Sequence, residues 1–275
     1  MILLLDAGNT RIKWAYLEQG LLRPGGAWPT REVAGLCGAW AGTGSGDGPP
    51  SRPSLPDAEV PPRPEPLPRS IERVVAACVA GVAVRTALEA CLQALGFVVD
   101  WVEPQGAGHG LVNRYRPPES LGVDRYCALV GAARRCRRDC VVVSVGTAMT
   151  ADMLTADGTF LGGCIVPGPE LMRSALSTGT AGVGLRAGGW QDFPRDTGAA
   201  VETGVVLALA GVVVGMRGRL ADLGNPGAST DLPAVVLTGG GRDWLAGRLQ
   251  GEVIEVDELV LEGLAWIARD LACAV

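Results

Sequence analysis

Short apolar runs near the start of the chain stop at turn-forming residues and then resume. Ile2-Leu3-Leu4-Leu5 ends in Asp6-Ala7-Gly8-Asn9-Thr10, and apolar positions return in Arg11-Ile12-Lys13-Trp14-Ala15-Tyr16. Runs of this length bounded by Gly, Asn and Asp predict strand, tight turn, strand. Glu18-Gln19-Gly20 predicts a turn into Leu21-Leu22, and Thr30–Trp40 a short amphipathic helix. The core pattern restarts at Arg73-Val74-Val75-Ala76-Ala77-Cys78 as a buried strand. Val84, Leu88, Cys91, Leu92 and Leu95 then recur at helical spacing within Val82–Leu95, and Phe97–Val102 predicts a further strand, so this stretch is β-α-β. After a glycine-rich loop, the prolines of Asn113–Tyr126 fix an extended lead into a helix ending near Arg138. Asp124-Arg125 fall near its start, where a carboxylate is favoured and backbone N–H groups are free.

The opening pattern returns at Val141. Val141-Val142-Val143 ends in Ser144-Val145-Gly146-Thr147-Ala148-Met149-Thr150, a strand follows over Ala151–Leu154, and Asp157-Gly158 turns the chain into Thr159-Phe160-Leu161. The spacing from Gly8 to Gly20 equals that from Gly146 to Gly158. Two strand-turn-strand-turn-strand units in register predict a duplicated α/β domain, with the two glycine turns facing each other across a cleft. The halves are expected at 1–138 and 139–275. A helix is predicted from about Glu170 to Leu176, then a hydroxyl-rich loop, Ser177-Thr178-Gly179-Thr180-Ala181, and a long apolar helix over Thr197–Leu220. Ala234–Thr238 predicts a strand ending in Gly239-Gly240-Gly241, whose bare backbone would let a flat ligand lie close. Val253–Val256 and Leu259–Leu271 supply a last strand and helix.

Composition adds one break to this picture. From Gly42 to Arg69 the chain is Gly/Ser-rich and then Pro-rich, with roughly half of the 19 prolines and almost no large apolar residues, which predicts a flexible surface insertion. Elsewhere the 275 residues, 48% of them hydrophobic, suffice for a large core in two domains. A net charge of −5 argues against nucleic-acid binding through a general basic field. The one basic patch, Arg134-Arg135-Cys136-Arg137-Arg138, reads as the solvated end of a helix. Ile2–Leu5 has no basic lead and is too short for a signal peptide; Gly204–Met216 is shorter than the ~20 residues a bilayer requires and predicts a buried helix. A cytoplasmic protein without membrane contact is expected. The 8 cysteines contain no C-x-x-C pair and read as reduced core thiols, while His109, in a glycine loop, leaves little material for a triad or a histidine metal site.

The candidate chemistry sits at the turns. Asp6 could serve as a metal ligand beside backbone N–H groups that hold phosphate oxygens, although Asp, Gly and Asn are also ordinary hairpin residues. Opposed to Gly146-Thr147, the same turn could clamp a polyphosphate from both sides. The assembled motifs, Asp6-Ala7-Gly8-Asn9-Thr10, Tyr115 with Leu121-Gly122-Val123-Asp124-Arg125, Gly146-Thr147-Ala148-Met149-Thr150, Gly162-Gly163 with Pro167-Gly168, Thr180-Ala181 and Gly239-Gly240-Gly241, resemble those of type III pantothenate kinases, in the acetate and sugar kinase/Hsc70/actin superfamily.

That resemblance implies two ribonuclease H-like domains of duplicated topology, mixed β-sheets flanked by helices and an active site in the interdomain cleft. It implies ATP-dependent phosphorylation of pantothenate, the first step of coenzyme A synthesis, by a homodimer. Asp6 would orient Mg²⁺; Gly8, Asn9, Thr10 and Lys13 would hold the phosphates of ATP; Gly146, Thr147, Gly239 and Gly240 would complete the nucleotide site. Asp124 would be the general base. Tyr115, Gly122, Val123 and Arg125 would fix pantothenate, with Thr180 reaching across from the second subunit. Ser144 stands where many members carry Asp, which bears on the K⁺ or NH₄⁺ ion that assists the family; the insertion has no counterpart. Two other functions stay open at this stage: a non-catalytic accessory factor for transcription, and a kinase of another small acceptor.

Overall fold

The computed structural model describes residues 1–42, 64–180, 188–223 and 232–273. The predicted insertion at 42–69 lies for the most part outside the described residues. Packing divides the chain into two compact units, the first made of Met1–Glu103, Gly122–Cys127 and Val260–Val275, the second of Pro104–Leu121 and Ala128–Leu259.

In the first unit, β1 (Ile2–Ala7), β2 (Arg11–Glu18) and β3 (Leu21–Pro29) form an antiparallel meander. Gln19 and Gly20, at φ of 49° and 78°, make the two-residue turn between β2 and β3, the left-handed pair that matches strand twist. After α1 (Val33–Trp40) the chain returns as β4 (Arg73–Cys78), parallel to β1, and α2 (Val82–Ala94) leads to β5 (Val99–Trp101). The strand order is β3-β2-β1-β4-β5. Leu3, Leu5, Ala7, Ile12, Trp14, Val74 and Ala76 pack with Leu36 and Trp40 of α1 and Leu88 and Leu92 of α2. Strand alternation sends Leu4 and Asp6 to the other face.

The second unit opens with β6 (Ala107–Gly108) and β7 (Leu111–Asn113), where a glycine-rich loop was expected. His109 and Gly110, at φ of 56° and 77°, form the hairpin turn between them, so the chain's single histidine is a turn residue. α3 (Val123–Arg135) carries the Asp124 motif at its first turn. Beyond it come β8 (Cys140–Val145), β9 (Ala148–Leu154) and β10 (Thr159–Pro167), then α4 (Pro169–Gly179), α5 (Thr197–Leu223), β11 (Ala234–Thr238), β12 (Val253–Glu255) and α6 (Leu259–Cys273). The sheet runs β12-β11-β8-β9-β10-β7-β6. Read from β10 through β12, it repeats the order and strand directions of the first sheet, which is the duplication the glycine spacing predicts.

Three expectations need correction. α5 runs 27 residues and is long and apolar enough, by length and composition, to cross a bilayer, so the argument from the shorter Gly204–Met216 run does not hold. Its apolar character has a local cause: Val205, Leu209, Val213, Met216 and Leu220 cover Val141, Val143, Met149, Val235 and Leu237 of the sheet. The helix is half-covered rather than buried, with Leu207 and Val214 exposed. The basic patch is not simply solvated, because Arg138 pairs with Glu252 at 3.0 Å and donates to the Leu232 carbonyl, and Arg134 donates to the His109 carbonyl. Of the cysteines, Cys127, Cys136 and Cys140 are buried, four are half-buried and Cys273 is exposed.

Candidate active site

Strand register places the first set of site residues. Asp6 stands directly opposite Lys13 on β2 and beside Ala77 on β4, so the carboxylate and the ammonium project from the same face of the sheet. The turn between β1 and β2 is pinned twice. Gly8 N donates to the Arg11 carbonyl at 3.0 Å, and the buried Thr30 hydroxyl donates to the Gly8 carbonyl at 2.7 Å. Thr30 N adds a bond to the Thr10 carbonyl at 3.0 Å, which leaves Asn9 and Thr10 exposed at the tip of a rigid turn. Sequence reasoning missed Thr30, because its partner is 22 positions away.

In the same unit the start of α3 presents Asp124. Its Oδ1 accepts the Arg125 N–H at 2.8 Å, which fixes the carboxylate at a helix N-terminus. A Cβ on Gly122 would lie 2.7 Å from that oxygen, so only glycine leaves Asp124 where it is. Val123 and Arg125 beside it are buried. α6 supports this turn closely: a Cβ on Gly263 would lie 1.8 Å from the Cys127 carbonyl oxygen. Burial pushes the Cys127 thiol well above its ordinary pKa, and the charges of Asp6 and Asp124 push it further.

The second unit repeats the frame with different chemistry. Ser144 takes in β8 the place of Asp6 in β1, with Thr150 opposite it on β9 and Thr238 beside it on β11. A row of hydroxyls replaces the carboxylate–ammonium pair. The turn Gly146–Ala148 is held from both sides by backbone: Gly168 N donates to the Thr147 carbonyl and Gly241 N to the Val145 carbonyl, both at 2.9 Å. A Cβ on Gly168 would sit 2.0 Å from the Gly146 oxygen, and one on Gly239 would sit 2.2 Å from the Val145 oxygen. Gly239, at φ +97°, is thus packed against the turn, whereas a Cβ on Gly240 would meet open space.

Directly after this run lies a cavity of about 220 Å³ lined by Trp190, Glu202, Val206, Asp243, Trp244 and Arg248. The Arg248 guanidinium stands 5.8 Å from the Trp190 ring centre, and Glu202 is paired with Arg173 at 3.2 Å. None of these residues was singled out from sequence; a tryptophan three positions past a glycine run was the available signal. Tyr115 stacks on Phe160 with ring centres 5.2 Å apart, and its N–H donates to Asn113 Oδ1 at 3.0 Å. Thr180 is exposed at the end of α4 and donates its hydroxyl to the Leu176 carbonyl at 2.7 Å. Ala181 lies outside the described residues. Among the described residues no group of three or more His, Cys, Asp or Glu side chains is placed to hold a metal.

A family model described as type III pantothenate kinase matches residues 58–219. The chain is 40% identical to the type III pantothenate kinase of Thiobacillus denitrificans over 97% of its own length and 96% of that protein's. Identity to the type III pantothenate kinase of Aromatoleum aromaticum is 38%, with both chains fully covered. Among solved structures, a Campylobacter jejuni protein described as a Baf family transcriptional activator superposes with TM-score 0.55 at 18% identity, covering 98% of this chain and 99% of that one. A Sinorhizobium meliloti protein described as a 2-dehydro-3-deoxygalactonokinase gives TM-score 0.52 at 15% identity, with the same coverage. These two likenesses show a shared fold.

Proposed function

The chain belongs to the type III pantothenate kinase family, and on that premise we propose that it transfers the γ-phosphoryl group of ATP to the hydroxyl of pantothenate, forming 4′-phosphopantothenate. The observation that supports the chemistry is Asp124 in the first turn of α3, its Oδ1 accepting the Arg125 N–H at 2.8 Å. Phosphoryl transfer asks for positioning and charge neutralisation more than for covalent chemistry. Asp124 accepts the proton of the pantothenate hydroxyl as its oxygen attacks phosphorus and the bond to ADP breaks. Lys13 and the exposed tip Gly8-Asn9-Thr10 hold the phosphates; Gly146, Thr147 and Gly240 hold the nucleotide from the second unit's residues. Trp244 and Trp190 offer flat faces for its base in the cavity beyond Gly240. Tyr115, Arg125 and the backbone of Gly122 and Val123 position pantothenate.

Asp6 fits Mg²⁺, a hard cation that takes one or two carboxylates and completes its shell with water and substrate phosphates; no larger protein cage is needed. Held by Asp6, Mg²⁺ would supply charge neutralisation at the phosphate oxygens. The hydroxyls of Ser144, Thr150 and Thr238 are neutral oxygen donors for the K⁺ or NH₄⁺ ion. The reading includes a homodimer in the cytoplasm, supported by the exposed Ile165, Leu171, Leu176, Leu207 and Val214 on β10, α4 and α5. Thr180, at the end of α4, would then reach the partner's pantothenate. Leu207→Lys with Val214→Lys is expected to yield monomers in sedimentation; dimers persisting in that variant would move the interface elsewhere.

The deciding experiment measures ATP-dependent phosphorylation of pantothenate by the purified protein with Mg²⁺, in K⁺, NH₄⁺ and Na⁺ salts. Turnover is expected, fastest with K⁺ or NH₄⁺. No turnover in any salt would sink the kinase reading, and equal rates in all three would remove the cation site.

A further inference from the structure

Asn113 ends β7 with only 5% of its surface exposed, a buried polar side chain at the point where the chain leaves the sheet. It stands beside Phe160 in the parallel pairing of β7 with β10, and the next peptide, Arg114 N–H, donates to the Phe160 carbonyl at 3.1 Å. Its own N–H donates to the Gly106 carbonyl at 2.8 Å, which fixes the backbone from which the side chain reaches out. Beyond Arg114 the Asn113 carboxamide supplies the bonding. Oδ1 accepts the Tyr115 N–H at 3.0 Å, two residues on, and Nδ2 donates to the Pro118 carbonyl at 3.0 Å, five residues on. The same carbonyl accepts the Leu121 N–H at 3.2 Å, closing the turn Pro118–Ser120.

Both bonds need a short side chain that carries an acceptor and a donor together, which a carboxamide does. Aspartate would set two acceptors against each other at Pro118, and serine would reach only the near N–H. Tyr115 is therefore held at two points. Asn113 holds its backbone, and Phe160, with no exposed surface, holds its ring at 5.2 Å between centres. The two anchors are partners in paired strands, so the sheet sets where the Tyr115 ring stands.

We infer that Asn113 is a positioning residue for the acceptor substrate, acting through Tyr115 and the Pro118–Ser120 turn rather than on the reacting atoms. This role rests on the reading that Tyr115 contacts pantothenate. A loop deprived of its two bonds adopts the binding arrangement for only part of the time, and apparent affinity falls by that fraction. The groups that Asn113 bonds, on Gly106, Tyr115 and Pro118, all lie outside the residues assigned to ATP, so the loss falls on one substrate.

The test measures steady-state phosphorylation of pantothenate by the full-length protein, varying each substrate in turn, with thermal melts alongside. Asn113→Ala is expected to raise KM for pantothenate on the order of 10-fold while KM for ATP stays within about twofold. In a Tyr115→Ala background the same substitution should add at most about twofold, because both act through one side chain. Asn113→Asp matches the native size and keeps the acceptor for Tyr115; losing the donor to Pro118 should raise KM for pantothenate about fivefold, which decides the matter if Asn113→Ala does not fold. An equal rise in both KM values, a KM for pantothenate within about twofold of wild type in the folded variants, or full additivity with Tyr115→Ala would each overturn the proposal. A wild-type protein without pantothenate turnover overturns the kinase reading and this role with it, whereas wild-type turnover with any of those three outcomes overturns the role of Asn113 alone.

Discussion

Gly122→Ala probes the position of one carboxylate without changing it chemically. The φ of Gly122 lies outside the left-handed region, so alanine meets no backbone penalty there. Its Cβ would stand 2.7 Å from Asp124 Oδ1 and 3.9 Å from its Cγ, and an ordinary contact begins near 3.4 Å, so the oxygen must retreat by about 0.7 Å. That movement breaks its 2.8 Å bond from Arg125 N, at a cost of about 1 kcal/mol. Replacing glycine by alanine recovers ~0.4–1 kcal/mol through the unfolded chain, so net stability is expected to change little. Catalysis is expected to suffer more, because a misplacement of about 1 Å can cost on the order of 10²-fold. A coupled assay for ADP release, titrated with pantothenate at saturating ATP, should show kcat/KM down by about that factor while the thermal melt stays within a few degrees. In an Asp124→Asn background, itself expected to lose ~10²–10⁴-fold, Gly122→Ala should add almost nothing, since both act through one group. Turnover within twofold of wild type in Gly122→Ala would refute the reasoning, as would full additivity in the double variant.

Gly168→Ala brings a Cβ within 2.0 Å of the Gly146 oxygen and 2.7 Å of the Thr147 oxygen, both backbone, so the second turn must shift. A loss of about 1–3 kcal/mol in urea melts is expected, with a raised KM for ATP; unchanged stability would mean that the turn yields freely. Thr30→Val removes the 2.7 Å bond to the Gly8 carbonyl and should cost about 1 kcal/mol while raising KM for ATP more than KM for pantothenate. Equal changes in both constants would separate Thr30 from the phosphate turn. Tyr126, buried beside Cys127 and Asp270, has its phenol pushed from 10.0 up to about 12, chiefly by burial. A folded pKa above the unfolded one gives stability that is complete below pH 10 and fades as pH rises towards 12, on the order of 2–3 kcal/mol in all. Tyr126→Phe should flatten the alkaline limb of a stability–pH curve between those values, and an unaltered limb would locate the alkaline transition in another group.

Much of the frame is legible in local pattern. The apolar runs that stop at Asp6 and Ser144 are the central strands of the two sheets, and the matched glycine intervals announce a repeated meander. That interval holds even though the turns differ: Gly8–Arg11 is one residue longer than Gly146–Ala148, and the next turn compensates, being two residues at Gln19-Gly20 and longer at Thr155–Gly158. Helix limits fall within a few residues of expectation because periodicity and caps are local signals. The short strands at 107–113 were hidden for the opposite reason. Two or three residues carry no period, and their order comes from β10, which offers a parallel edge to Leu111–Asn113.

Residue type and spacing were enough to establish a duplicated α/β chain with glycine turns at matching strand ends and an Asp-Arg pair opening a helix. Tertiary contact alone established which glycines pack closely and which face open space, that Thr30 locks the first turn, and that two tryptophans line a cavity past Gly240. Hydrophobic period reports which face of an element is covered, because burial acts on each residue through its own neighbours along the strand or helix. Close approach between backbones, and the meeting of side chains far apart in sequence, arise only when distant segments pack, and no local period records them.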